Sequence, residues 1–143
     1  AGYAVVSLPE VLESSPLPVG TISKKAELIA LTRALSLASG KEVNIYTDSE
    51  YAFHILYSHA SIWEEEDLYY KGSPITNAPL ILKLLQAAHL PKAAAVVHCK
   101  GHQAENEPII QGHNKADILL GSYSTAQANQ ASNLIHTCTQ SLA

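Results

Sequence analysis

The apolar and polar positions along this chain predict strands and helices in alternation. Ala1–Leu8 carries Tyr3, Val5 and Val6 and reads as a strand. Pro9 to Gly20 holds three prolines, which break any long regular element, although a second short strand can lie near Val11–Leu12. Ser23 then reads as a helix N-cap, with Leu28, Leu31, Ala34, Leu35 and Ala38 as the apolar stripe and Gly40 as the stop. Val43, Ile45 and Thr47 alternate with Asn44 and Tyr46, which predicts a strand over 43–47. Helices are expected from Ser49 to about Tyr57, from Ala60 through Trp63 to Leu68, and over Ala78–Ala88. Gly72-Ser-Pro reads as a turn. In the helix over 78–88, Leu80, Ile81, Leu84 and Leu85 face a core, and Pro91 ends it. Ala93–His98 reads as a strand, 100–111 as a polar loop, and His113 to about Leu120 as a last helix. The order strand, helix, strand, helices, strand, helix implies an α/β domain whose sheet contains parallel pairs. After Gly121 the chain is rich in Ser, Thr, Ala, Asn and Gln, so residues 1–121 read as the domain and 122–143 as a tail or linker.

Composition narrows the class. With 143 residues, 47% hydrophobic and 15% charged, the chain can bury one core and is not of disordered type. No apolar run approaches the roughly 20 residues needed to cross a bilayer, and no basic-then-apolar start suggests a signal peptide, so no membrane and an intracellular setting are expected. The formal charge of −4 argues mildly against a nucleic-acid binder. Cys99 and Cys138 lie far apart and read as two thiols in a reducing compartment.

Four residues stand out for chemistry, each with a plainer alternative. Glu27 lies beside the apolar stripe of the first helix, where an acid needs a partner or a cation; an N-terminal helix acid paired with Lys24 is the plainer reading. Asp48 closes the strand over 43–47, at the kind of carboxyl end where α/β sheets place ligands, although Asp48 or Ser49 can simply cap the next helix. Asp117 precedes Ile118, Leu119 and Leu120 at the edge of a buried face, or is a solvated helix acid. His102, in Gly-His-Gln, can move protons near neutral pH or be a surface residue. His98 and Cys99 with His102 hint at zinc, but no second Cys/His pair completes such a site.

Together, Lys-Ala-Glu-Leu-Ile-Ala-Leu-Thr-Arg-Ala-Leu (25–35), Val-Asn-Ile-Tyr-Thr-Asp-Ser-Glu-Tyr-Ala-Phe (43–53), His-Cys-Lys-Gly-His-Gln (98–103) and the Ala-Asp at 116–117 carry a specific resemblance. They resemble the ribonuclease H domain of gammaretroviral-type reverse transcriptases and related endogenous elements, in the same order over roughly residues 1–120. Ala1-Gly-Tyr-Ala-Val-Val and Leu90-Pro-Lys fit as well. The resemblance implies a mixed sheet flanked by helices and a site of four carboxylates, of which Glu27, Asp48 and Asp117 match the second, third and fourth. It implies that His102 aids proton transfer or product release, and that the site holds two Mg²⁺ or Mn²⁺ ions about 4 Å apart. The substrate implied is an RNA/DNA hybrid, told from DNA by its 2′-hydroxyls and duplex shape.

The sequence also departs from that pattern. The family's first strand, which ends in Asp-Gly-Ser and lies in the middle of the sheet, precedes the segment matched by Ala1–Val6, and no Asp-Gly-Ser occurs in this sequence. The expectation is a fragment, or a strand contributed by another chain. Without that strand the sheet has an open centre, and a chain beginning at Ala1 should bind metal poorly. Trp63-Glu64-Glu65-Glu66-Asp67 stands where relatives carry a basic, hybrid-gripping segment, Glu50 follows Asp48-Ser49, and His113 replaces the usual Asn. Two functions therefore stand side by side. One is metal-dependent hydrolysis of the RNA strand of hybrids. The other is a catalytically impaired domain, endogenous or host-domesticated, kept as a structural or interaction module beside other retroviral-type domains.

Overall fold

A computed structural model describes residues 2–7, 10–59, 69–70, 73–99, 118–121, 123–124, 127 and 134–140. Its strands are β1 (Gly2–Ser7), β2 (Glu10–Pro16), β3 (Glu42–Thr47), β4 (Tyr69–Tyr70), β5 (Ser73–Pro74), β6 (Ala93–His98), β7 (Ile118–Gly121) and β8 (Leu134–Gln140). Its helices are α1 (Ser23–Leu37), α2 (Glu50–His59) and α3 (Ala78–Ala87). Six strands form one mixed sheet in the order β2-β1-β8-β3-β6-β7, and β4 pairs with β5 in a separate hairpin. The α/β class and the mixed sheet flanked by helices are thus as the sequence implies.

One face of the sheet makes the core. Val43 and Ile45 of β3, Ala94 and Val96 of β6, Val5 of β1 and Ile135 of β8 pack against Leu28, Leu31 and Leu35 of α1 and Ile81, Leu84 and Leu85 of α3. These positions alternate along each strand and recur at helical spacing along each helix, which is why the hydrophobic pattern was enough to find β1, α1, β3, α3 and β6. The opposite face carries a smaller cluster of Ala93, Ala95 and Tyr123, and Tyr46 stacks on His136 with ring centroids 5.0 Å apart.

Four expectations change. Ser23 is the first residue of α1; the N-cap position falls to Ile22, in extended backbone and without a side-chain cap. Ser73 and Pro74 sit in β5 rather than wholly in a turn. The apolar run 118–120, read as the end of a helix, is a strand pairing antiparallel with β6 through Val96↔Ile118 and Ala94↔Leu120. A short apolar run does not by itself distinguish the two states. The helix expected over 60–68 and the loop over 100–111 lie outside the described residues.

The fourth change is the largest. Residues 134–140, part of the stretch read as a tail, form β8 at the centre of the sheet. β8 runs antiparallel to β1 (Ala4↔Cys138, Val6↔His136) and parallel to β3 (Ile45↔Ile135, Thr47↔Thr137). The centre of the sheet, expected to be open, is therefore closed by the chain's own C-terminal region. Its composition hid it: Ile135, Thr137 and Thr139 alternate with His136 and Cys138, so the β-branched row is mostly hydroxyls rather than aliphatics.

A three-membered contact ties α1 to the β1–β2 hairpin. Arg33 donates from Nε and Nη2 to the two Glu13 oxygens at 2.7 and 2.8 Å, and the Tyr3 hydroxyl donates to Glu13 at 2.7 Å. These hydrogen bonds, that of Arg33 first and that of Tyr3 next, hold the Glu13 carboxyl down at about 2. A carboxyl lowered on folding stabilises the fold above its ordinary value of 4.5, and the contribution is lost as pH falls from there toward 2. Arg33 is 41% exposed, so water screens the pair and the contribution is about 1 kcal/mol. Denaturant titrations should show Glu13→Gln about 1 kcal/mol less stable than the parent at pH 6, with the difference vanishing near pH 2.

Candidate functional site

β3 and β8 are parallel, so both carboxyl ends open on the same edge of the sheet, and a cleft of about 560 Å³ lies there. It is lined by Glu27, Asp48, Ser49, Glu50, Tyr51, His54 and Thr139. Each lining residue arrives by a separate local cause. Asp48 follows directly on β3, whose core-facing row Val43–Ile45–Thr47 leads to the mouth. Glu27 lies in the second turn of α1, half-buried between the buried Ala26 and Leu28. Thr139 ends the helix-facing row Ile135–Thr137–Thr139 of β8.

Ser49 organises the junction. Its backbone N–H donates to the Thr47 hydroxyl at 3.1 Å, and its Oγ accepts from the Ala52 N–H at 3.0 Å, which is an N-cap of α2. The same hydroxyl donates to Glu27 Oε1 at 2.5 Å. The cap predicted for Asp48 or Ser49 is therefore made by Ser49. Glu27, a candidate partner of Lys24, instead takes its hydrogen bond from α2. Lys24 Nζ lies 5.2 Å from the centre of the Tyr51 ring, and Asn77 Nδ2 donates to the Tyr51 hydroxyl at 3.2 Å. Glu50, expected to crowd Asp48, is exposed and pairs with His54 one turn on, at 3.6 Å.

Of the four residues singled out in the sequence, the structure brings Glu27 and Asp48 to one cleft. Asp117 and His102 lie outside the described residues. Two lining positions were not foreseen. Tyr51 gives no signal in a sequence read alone, and Thr139 was hidden in a segment read as linker. Cys99 sits beside β3, with its N–H donating to the Thr47 carbonyl at 2.9 Å. Burial pushes its thiol up to about 11, with the neighbouring Asp48 and Cys138 adding to the shift, so at neutral pH it is protonated and a poor metal ligand. His98 meets the Phe53 ring at 5.7 Å. Neither cysteine forms a disulfide.

Glu27 and Asp48 offer hard carboxylate oxygens of the kind Mg²⁺ and Mn²⁺ take. In kind they suit a divalent cation. In number they do not close a site, because among the described residues no group of three or more His, Cys, Asp or Glu gathers to hold one.

Removing the Ser49 hydroxyl should cost about 1–2 kcal/mol through the lost cap, measured by chemical denaturation of Ser49→Ala. Ser49→Asp should recover most of the cap yet set a second acid against Glu27. It should therefore be less stable than the parent at pH 7 and closer to it at pH 4.

The RNase H family profile matches residues 1–125. The chain is 53% identical over 118 residues to the Gag-Pol polyprotein of avian reticuloendotheliosis virus, covering 82% of the chain and 10% of the polyprotein. It is 49% identical over 118 residues to the Gag-Pol polyprotein of koala retrovirus, covering 82% of the chain and 7% of the polyprotein. It is 44% identical over 128 residues to the Pol polyprotein of feline endogenous virus ECE1, covering 89% of the chain and 12% of that protein. The chain thus spans about a tenth of the length of these relatives.

Proposed function

Because the chain belongs to the RNase H family, and to its retroviral type, we propose that its cleft hydrolyses the RNA strand of RNA/DNA hybrids with the help of Mg²⁺ or Mn²⁺. The observation that carries this reading is the meeting of Glu27 from α1 and Asp48 from the end of β3 in one open cleft. The hydrogen bond from Ser49 to Glu27 supports it, because it fixes an acid of α1 against the helix that follows Asp48. In this reading Asp117 adds a third carboxylate and His102 transfers a proton at the departing oxygen.

A divalent cation bound by these oxygens would supply positive charge to the phosphate under attack; two ions are expected when the carboxylate set is complete. The chain's own residues do the rest. Ser49 keeps one Glu27 oxygen turned toward α2. Tyr51, held by Asn77 and covered by Lys24, forms a rigid aromatic wall on which a sugar edge can rest. Discrimination for RNA comes from contacts to the 2′-hydroxyl. Neighbouring domains in a longer retroviral-type chain and an intracellular setting belong to the same proposal.

One observation favours the second reading, a catalytically impaired domain kept as a structural or interaction module. The wall of the cleft supplied by β8 carries a hydroxyl, Thr139, and no charge. A labelled RNA/DNA hybrid incubated with the protein and Mg²⁺ or Mn²⁺ separates the two. The nuclease reading expects cleavage that falls about 100-fold or more in Asp48→Asn, as loss of several kcal/mol of charge stabilisation requires. Cleavage unaffected by that change would place the chemistry elsewhere, and no cleavage by the parent protein would favour the module.

A further inference from the structure

We propose that Thr139, on the C-terminal strand, sets the divalent-cation affinity of the cleft. The proposal rests on the reading that this cleft handles a cation, and it concerns binding rather than cleavage. β8 is the one strand that borders both the β1–β2 hairpin and β3, and its direction matches that of β3. Its register is fixed from both sides, by Tyr3↔Thr139 on β1 and Thr47↔Thr137 on β3. Thr137 is level with the last residue of β3, so Thr139 stands level with the two residues that follow it, Asp48 and Ser49. Alternation then decides which way it points: Ile135 is in the core beneath α1, Thr137 is buried on the same face, and Thr139 is the next residue in that row. It lines the cleft, half-buried, with Glu27 and Asp48.

The identity of this side chain matters because of how hard cations are held. Affinity rises with the number of charged oxygens in the site, and a neutral hydroxyl adds little. Glu27 and Asp48 supply two carboxylates, the third acid of the lining, Glu50, pairs with His54, and one oxygen of Glu27 is already engaged by Ser49. With Thr139 last in its helix-facing row, the central strand therefore leaves the described cleft one charge short on the side facing β8. Position 139 also has room for an acid, since it lies at the mouth of an open cleft rather than in the core.

The test is Mn²⁺ binding to the 143-residue protein, followed by the paramagnetic resonance of free Mn²⁺. Thr139→Asp should bind Mn²⁺ at least roughly tenfold more tightly than the parent, as one added carboxylate ligand predicts. Thr139→Asn, of the same shape without charge, should show no gain, and Glu27→Gln added to Thr139→Asp should abolish it. If Thr139→Asp melts early in EDTA because three acids repel one another, millimolar Mn²⁺ should restore its melting temperature. The proposal is overturned by a Thr139→Asp protein with parental affinity, by a gain that survives Glu27→Gln, by an equal gain in Thr139→Asn, or by a destabilised variant that Mn²⁺ does not restore. Hybrid cleavage is not read in this experiment. Should the separate hybrid assay show no cleavage, the nuclease reading would fall while a gain in Mn²⁺ binding would leave the role of Thr139 standing.

Discussion

A strand in the middle of a sheet has to find partners for its backbone N–H and C=O groups on both edges, and the strands on either side depend on it for theirs. In this protein that position belongs to β8. β1 and β3 are not paired with each other; each pairs with β8, one antiparallel and the other parallel. Without β8 the β1–β2 hairpin would lose its pairing to the rest of the sheet, and the facing edges of β1 and β3 would lose their hydrogen-bond partners. The Glu13–Arg33–Tyr3 contact helps to hold α1 against the hairpin, but an exposed ion pair is worth far less than a paired central strand.

The site inherits its form from the same arrangement. Parallel pairing of β3 with both β8 and β6 brings carboxyl ends to one edge of the sheet, and α1 lies across β8 and β3 with Glu27 near that edge. Ser49 joins the two halves of the cleft, because one hydroxyl can both accept from the α2 backbone and donate to a carboxylate. Ser49 makes the cap of α2, and Asp48 lines the cleft. The chain is an RNase H family member, and its fold brings Glu27 and Asp48 to one cleft. The geometry adds that the side facing them across β8 is neutral.

The sequence made most of this legible, for reasons that can be named. α1 and α3 each bury one face in a core of Leu, Ile, Val and Ala, β3 and β6 are short bounded runs buried on both faces, and Gly40 (φ +74°) and Pro91 mark the ends of the helices. Glu27 and Asp48 stood out as acids at the edges of such elements, and the family resemblance decided between that reading and the plainer one. β8 was missed because a central strand usually reads as a run of aliphatics. Here two of its three helix-facing side chains are threonines, one half-buried at the cleft, and its other face is carried by His136 against Tyr46. The end of the predicted last helix failed for a different cause: Ile118–Leu120 is too short for its period to be read, and only pairing with β6 decides its state.

Amide hydrogen exchange across residues 134–140 tests most directly whether this segment holds the sheet together. If β8 lies between β1 and β3, the amides of Ile135 to Cys138 exchange as slowly as those of Val43 to Tyr46, and both sets open together in the global unfolding reaction. Exchange at the rate of an unstructured peptide in 134–140, with β3 still protected, would contradict the account and return the segment to a tail.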